Sequence, residues 1–124
     1  MHEVLLEIQA NDRLLAINSN RYTKSIKNYT SKFFSDVTFS DIQGHNPPNP
    51  SKPDAYGVNM ILENTKTSKQ DAIFIGDSST DIQTARNAGV DCVLVNWGYS
   101  GNDELDDDYV LKVVVDASQI LELL

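Results

Sequence analysis

The stretch "IFIGDSSTDIQTARNAGV", residues 73–90, decides the fold of this chain. It begins with four residues typical of a buried strand and continues as a helical pattern that ends at Gly89. Ser78 and Asp81 stand three residues apart, which predicts a capping box at the helix start. The aspartates Asp77 and Asp81 therefore lie at a strand–helix junction, where a pair of carboxylates raises the question of a chemical function.

Helical and strand patterns alternate through the rest of the chain. Helices are predicted at residues 3–10, 22–33, 54–64 and 117–124, and strands at 14–18, 37–39, 72–75, 92–95 and 113–115. Strands separated by helices favour an α/β fold, a Rossmann-like parallel sheet with helices on both faces. Ligands of such sheets bind at the carboxyl ends of the strands, so the residues that follow each strand matter most.

The composition is that of one domain with 124 residues, 40% of them hydrophobic and 23% charged. A net charge of −8 without a basic stripe argues against nucleic acid as the main partner. The acidic N-terminus does not resemble a secretion signal, and the apolar runs are too short to span a membrane. A single cysteine, Cys92, lies in an apolar run and favours the reducing cytoplasm as the location.

A chemically coherent set of residues follows the predicted strands. Ser19 offers a hydroxyl group and Asn20 a backbone N–H for phosphate oxygens, and Lys52 adds a positive charge. Asp77 and Asp81 are oxygen ligands of the kind that Mg²⁺ prefers. Each residue by itself is more often a turn, cap or surface residue. Their order along the chain is what favours phosphoryl chemistry, in which Mg²⁺ and a lysine stabilise developing negative charge.

Three segments carry a family resemblance. "LLAINSN" (14–20), "SKPDAY" (51–56) and "IFIGDSSTD" (73–81) resemble motifs II, III and IV of the haloacid dehalogenase superfamily, in the family's order. "VNWGYSG" (95–101) is similar to the loop that follows in the phosphoglycolate phosphatase subgroup. The resemblance covers nearly all of the chain. It implies a Mg²⁺-dependent phosphatase that acts on a small phosphorylated metabolite through a phospho-aspartate.

The resemblance also implies a role for each residue of the set. Ser19 would hydrogen-bond the transferring phosphate, and Asn20 would help through its backbone N–H. Lys52 would bind the phosphate and the carboxylate of the nucleophile. Asp77 would ligate Mg²⁺, while Asp81 would either ligate it too or orient its waters.

The family's nucleophile is an aspartate of a D-x-D-G-T motif, and no D-x-D precedes Ser19 here. Asp12 lies in a turn without the motif, and the pair Asp106 and Asp108 follows the other motifs instead of preceding them. In the family the first strand lies centrally, between the strands that end at Ser19 and Gly76. That strand and the cap domain are not found, so the chain is expected to be a truncated core with weak or absent Mg²⁺ binding.

Three interpretations of such a chain stay open. It is part of a complete phosphatase and inactive alone, or a non-catalytic binding remnant, or one half of a split enzyme. In each, something is expected to fill the centre of the sheet: a rearrangement, a segment such as 4–8, a partner segment or a second copy. A response-regulator receiver domain is disfavoured, because its phosphorylated aspartate precedes the hydroxyl residue and the lysine, whereas the order here is Ser19, Lys52, Asp77.

Overall fold

The computed structural model describes residues 1–97 and 107–123, and in them helices and strands alternate as predicted. The elements are α1 (His2–Ala10), β1 (Ala16–Tyr22), α2 (Thr23–Phe33), β2 (Asp41–His45), α3 (Tyr56–Thr65), β3 (Ile73–Gly76), α4 (Ser79–Ala88), β4 (Asp91–Val95) and β5 (Val110–Val114). Two short 3-10 helices cover Lys69–Asp71 and Ala117–Leu123. Every described strand pair is parallel, which confirms the α/β class.

The described strands form two separate sheets. One contains β1 and β2, and the other has the order β3-β4-β5. Within the described residues, β1 is therefore paired only with β2, and β3 is paired only with β4. Among these residues no strand lies between β1 and β3, the position where the family resemblance predicts a central strand.

Two apolar clusters cover the two faces of the three-stranded sheet. On one face Cys92 and Leu94 pack against α3 and α4, and on the other Val93 and Val95 pack against α1 and the last 3-10 helix. Neighbouring residues of β4 alternate between the faces, as the pleat of a strand requires. Burial raises the pKa of the Cys92 thiol to about 11, so this cysteine stays protonated as a core residue.

Residues 4–8, one candidate for filling the centre of the sheet, are helical and do not pair as a strand. They belong to α1, and Val4 and Ile8 pack against Val93 and Val114. The spacing of four residues between Val4 and Ile8 places both side chains on one face of a helix. This segment therefore covers a face of the second sheet.

The prediction of a strand at residues 37–39 is wrong. Val37 is buried in a turn, and the strand is β2, a few residues later. Its sequence, "DIQGH", contains a single large apolar residue, so pairing with β1 makes it a strand. Gly44 allows that pairing, because an added Cβ would lie 2.6 Å from the carbonyl oxygen of Arg21.

Two further boundaries differ from prediction. Ser19 and Asn20 lie inside β1, which continues past the predicted end of the strand to Tyr22. The helix after Lys52 begins at Tyr56, whose N–H donates a 2.8 Å hydrogen bond to the carboxylate of Asp54.

Some predictions fall on residues that the structure does not describe. The loop at 95–101 is described only to Trp97, and the acidic run at 102–108 only from Asp107. In the described ranges, no helix has both the length and the apolar composition needed to cross a membrane.

Candidate functional site

A pocket of about 260 Å³ lies at the carboxyl end of β3. Its lining includes Lys52, Asp77 and Asp81, three of the predicted site residues. Asn18 of β1 and Gly76 of β3 also line it, so both sheets contribute to the pocket. The segments that resemble motifs III and IV therefore meet in one place.

The Asp81 carboxylate is the centre of the contacts in this pocket. Its Oδ1 accepts a 2.6 Å hydrogen bond from Lys52 Nζ, and the side chains are only 15% (Lys52) and 7% (Asp81) exposed. Its Oδ2 accepts a 2.9 Å bond from the backbone N–H of Asp77 and a longer one of 3.4 Å from the Ser78 hydroxyl. The two carboxylate oxygens of Asp81 therefore connect the loop before α3 to the end of β3.

The predicted capping box does not form. The Ser78 side chain makes no cap hydrogen bond to the start of α4. The Asp81 carboxylate instead reaches the N–H of Asp77, one residue further back than a capping box requires. The strong interaction with Lys52 explains this geometry, because it draws the carboxylate into the pocket.

Burial and hydrogen bonding act in opposite directions on Asp81. Burial favours the neutral acid and taken alone would raise its pKa. The hydrogen bonds from Lys52 and from the Asp77 N–H, together with the charge of Lys52, outweigh burial and hold the pKa of Asp81 below its ordinary value. The Asp81 carboxyl group in the pocket is therefore ionised at neutral pH.

Asn20 contacts Lys52 through its side chain. Its Oδ1 accepts a 2.8 Å hydrogen bond from the Lys52 N–H, and its Nδ2 donates a 3.2 Å bond to the Lys52 carbonyl oxygen. The predicted role of Asn20 rests on its backbone N–H, and this side-chain contact has no counterpart in that prediction. Asn20 is thereby joined to the pocket through the backbone of the lysine.

Ser19 is not brought into the same pocket. It lines a larger cavity of about 580 Å³, and its Oγ accepts a 3.2 Å bond from the N–H of Arg21. Ile17 of β1 and Ile75 of β3 line this larger cavity too, and Ile75 lines both spaces. The two spaces are therefore two sides of one opening between β1 and β3, which we call the central gap.

The residues of β3 show that the central gap is open. Ile73 and Ile75 are each 41% exposed, although both are large apolar residues in a strand. In the next strand Val93 and Leu94 are completely buried. The difference arises because β4 has strands on both sides, whereas β3 has a described neighbour on one side.

Asn18 carries an unusual burial cost beside the pocket. Within the part of the chain that the structure describes, its buried Nδ2 has no hydrogen-bond partner. Asn18 Oδ1 lies so close to Gly57 of α3 that an added Cβ there would overlap it. A buried amide donor without a partner is destabilising.

Replacing Asn18 with valine is therefore expected to raise the free energy of unfolding by about 1 kcal/mol. Valine removes the unpaired amide and suits a strand. Urea unfolding measures the change, and Asn59→Ala, at an exposed position of α3, is the control, with a smaller gain of about 0.5 kcal/mol expected from helix propensity alone. A loss of stability in Asn18→Val would contradict an unpaired amide at this position.

Sequence reasoning missed two contributors to the site. Gly76 gives Asp81 its space, since a Cβ at Gly76 would lie 2.5 Å from Asp81 Cγ. The position of Gly76 beside Asp77 in the G-D-S motif could have indicated a steric role. Asn87 of α4 donates a 2.8 Å bond to the carbonyl of Pro53, and no sequence pattern marks it.

Asp77 and Asp81 are the two acidic residues in the lining of the pocket. The described residues contain no group of three or more histidine, cysteine, aspartate or glutamate side chains placed to hold a metal. Mg²⁺ commonly binds one or two carboxylates and keeps waters or phosphate oxygens as its other ligands. The donor set therefore fits Mg²⁺ better than a metal that needs a full cage of side chains.

Comparison with known proteins identifies the family. The family model for haloacid dehalogenase-like hydrolases matches residues 1–95. A phosphoglycolate phosphatase of Vibrio cholerae is 31% identical across 96% of this chain and 53% of its own. Pyrophosphatase PpaX of Listeria monocytogenes is 27% identical across 98% of this chain and 57% of its own.

Solved structures agree on the fold. A predicted phosphoglycolate phosphatase of Haemophilus somnus has a TM-score of 0.84 and 26% identity, covering 98% of this chain and 54% of that one. A haloacid dehalogenase-like hydrolase of Streptococcus pneumoniae has a TM-score of 0.84 at 21% identity, with coverages of 98% and 56%. The chain spans about half the length of the curated relatives it matches, 53% for the Vibrio protein. Since the family model covers most of the chain, the chain belongs to the haloacid dehalogenase-like hydrolases.

Proposed function

We propose that this chain supplies the phosphate- and metal-binding part of a phosphate monoester hydrolase of the phosphoglycolate phosphatase type. The observation that carries the proposal is the 2.6 Å contact between Lys52 Nζ and Asp81 Oδ1. It joins the segments that resemble motifs III and IV in one pocket. The names of the Vibrio and Haemophilus relatives support the same reaction class.

The contacts of each side chain suggest its part in this function. Lys52 carries a partly buried ammonium group, and such a charge attracts phosphate oxygens. Asp81 has both oxygens engaged, so we assign it to hold Lys52 and to orient metal-bound water. Asp77 is assigned as the direct ligand of Mg²⁺. When bound, Mg²⁺ would neutralise charge on the transferring phosphoryl group.

We assign the central gap to an extended strand that pairs with both β1 and β3 and carries the nucleophilic aspartate. The two strands each have an edge without a strand partner among the described residues. Unpaired edges favour the addition of a strand, and the exposed Ile73 and Ile75 offer it apolar contacts. Its carboxyl end would then open beside Ser19 and the pocket.

Three sources of that strand are distinguishable. It belongs to a further part of the same polypeptide, to a partner chain, or to a second copy of this chain. Light scattering of the purified chain separates a second copy from the other two, because it reports the mass in solution. A monodisperse monomer whose own residues close the central gap would refute association.

Binding of inorganic phosphate tests the proposed function. In NMR titrations with Mg²⁺ present, we expect millimolar phosphate to shift the amide signals of Lys52 and Asp77. Asp77→Asn should remove the Mg²⁺-dependent part of the shifts, since it removes a carboxylate ligand. Asp36→Asn, at an exposed acid paired with His2, should leave the titration unchanged.

Turnover is tested on the same protein with p-nitrophenyl phosphate. The chain is expected to bind phosphate without hydrolysing the ester, because no D-x-D precedes Ser19. Robust hydrolysis that Asp77→Asn abolishes would show that the nucleophile lies within the chain. Absence of any effect of Asp77→Asn on Mg²⁺ or phosphate binding would contradict a surviving site.

A further inference from the structure

The segment 51–53 has no regular secondary structure, yet a side chain from a different element holds each of its residues. The hydrogen bonds join His45 Nδ1 of β2 to Ser51 Oγ (2.7 Å), Asn20 of β1 to the backbone of Lys52, and Asn87 Nδ2 of α4 to the carbonyl of Pro53 (2.8 Å). The two strands of the first sheet and helix α4, which packs on the second, therefore hold the segment on either side of the lysine.

Asn20 makes the most specific of these contacts. Its amide accepts from the N–H of Lys52 at 2.8 Å and donates to the carbonyl of the same residue at 3.2 Å. A side-chain amide has both a donor and an acceptor, so asparagine can satisfy both backbone groups of one residue at once. Alanine can make neither bond, and a carboxylate can make only the first.

We propose that the Asn20 side chain is a positioning residue that sets the reach of Lys52 into the pocket. A lysine side chain has four rotatable carbons and loses considerable entropy when it is fixed. Because Asn20 fixes the Lys52 backbone, only the lysine side chain remains to be ordered. Asp81 orders it through the 2.6 Å hydrogen bond between its Oδ1 and Lys52 Nζ. This inference rests on the proposed function of Lys52 as a phosphate ligand, and it gives Asn20 a role through Lys52.

The irregular pairing of β1 around Asn20 is consistent with this role. β1 and β2 lose their regular register between Asn18 and Tyr22, which is where Asn20 lies. Tyr22 contacts the ring of His45 at 5.0 Å between centroids, and His45 in turn holds Ser51. The irregular part of β1 is thus the part that supports the lysine segment on two sides.

Hydrogen exchange of the Lys52 amide tests the contact directly. We expect Asn20→Ala to increase the exchange rate of this amide by about tenfold, because it removes the acceptor of the N–H. Asn59→Ala, at an exposed position of α3, is the control and should leave the rate unchanged. Urea unfolding of both variants separates a local effect from a global loss of stability. An unchanged Lys52 exchange rate in Asn20→Ala would overturn the proposal.

A double-mutant cycle then asks whether Asn20 acts through Lys52. In the otherwise unchanged chain, Asn20→Ala is expected to weaken the binding of inorganic phosphate by about tenfold. In a Lys52→Met background, the same substitution is expected to have no further effect on phosphate binding. Equal weakening in both backgrounds would overturn the proposal, since Asn20 would then contact phosphate itself.

The two tests keep this inference separate from the proposed function. If the unchanged chain does not bind inorganic phosphate, the proposed function fails. The exchange rate of the Lys52 amide still decides whether Asn20 holds the lysine. If phosphate binds and the Lys52 exchange rate does not respond to Asn20→Ala, the positioning role fails and the proposed function stands.

Discussion

Replacing Gly76 with alanine is expected to lower the free energy of unfolding by about 3 kcal/mol, a typical cost of overpacking, and to abolish phosphate binding. The added Cβ would lie 2.5 Å from both Cγ and Oδ2 of Asp81 and closer still to its Cβ. Asp81 belongs to the first turn of α4, and the backbone fixes the position of its Cβ, so a change of rotamer cannot relieve the overlap. Either the start of α4 moves or the carboxylate leaves Lys52.

Urea unfolding and phosphate titration of Gly76→Ala measure the two effects. Gly89→Ala is the matched control, because it strains a residue with φ of 75° but places its Cβ at an ordinary contact distance of 3.8 Å from Cδ and Nζ of Lys69. Its cost should be about 1 kcal/mol, with phosphate binding retained. Asp81→Ala should not rescue Gly76→Ala, since alanine keeps the Cβ of residue 81. A Gly76→Ala protein that unfolds and binds phosphate like the unchanged chain would contradict this steric role.

Replacing Asp81 with asparagine is expected to cost about 3 kcal/mol of unfolding free energy, because it leaves one charge of a buried pair without its partner. The unpaired group is the Lys52 ammonium, whose side chain is 15% exposed. The amide also accepts a weaker hydrogen bond from the Asp77 N–H than a carboxylate does. The substitution should therefore loosen the end of β3 and weaken phosphate binding together.

The same carboxylate makes stability depend on pH in a defined direction. The pKa of Asp81 is lower in the folded chain than its ordinary value, so folding favours the ionised form. Its contribution is complete above about pH 4, the range of an unfolded aspartate, and is lost as the pH falls through the lowered folded pKa. Asp81→Asn should accordingly show a smaller loss of stability on acidification than the unchanged chain.

Urea unfolding at a series of pH values between neutral and strongly acidic measures this difference. Glu122→Gln is the control, because it makes the same kind of change in an exposed pair, with Glu122 63% and Lys112 36% exposed. Its effect on stability should be below about 1 kcal/mol at any pH. Parallel pH curves for Asp81→Asn and the unchanged chain would show that Asp81 does not titrate as described.

The sequence predicted helices and strands best where apolar periodicity and turn chemistry coincide. β3, α4 and its end at Gly89 follow the pattern of residues 73–90, and Gly89 adopts the expected left-handed conformation. β2 was misplaced because its residues are mostly polar, and its strand character comes from pairing with β1. Periodicity cannot detect an element that depends on a partner distant in sequence.

The sequence predicted part of the lining of the pocket and little of its hydrogen bonding. The order of motifs placed Lys52, Asp77 and Asp81 together, and the structure has them in one pocket. The side-chain contact between Asn20 and the Lys52 backbone could not be read from sequence, because it depends on how far β1 continues. The same is true of Asn87, whose partner is a carbonyl that every residue type provides.

Because the strands form two sheets, a ligand in the pocket can affect how the two parts of the chain unfold. One half of the chain contains the sheet of β1 and β2, and the other contains the sheet of β3, β4 and β5 with α4. α3 contacts β1, β2 and α4, and the hydrogen bonds of Asn20 and Asn87 to the segment of Lys52 and Pro53 connect the same two halves. A phosphate bound among these residues would brace the two halves against each other and couple their unfolding. By mass action such a ligand stabilises only the state that binds it. Occupancy of the pocket is thus expected to make the unfolding of the chain more cooperative, which differential scanning calorimetry with and without phosphate would measure.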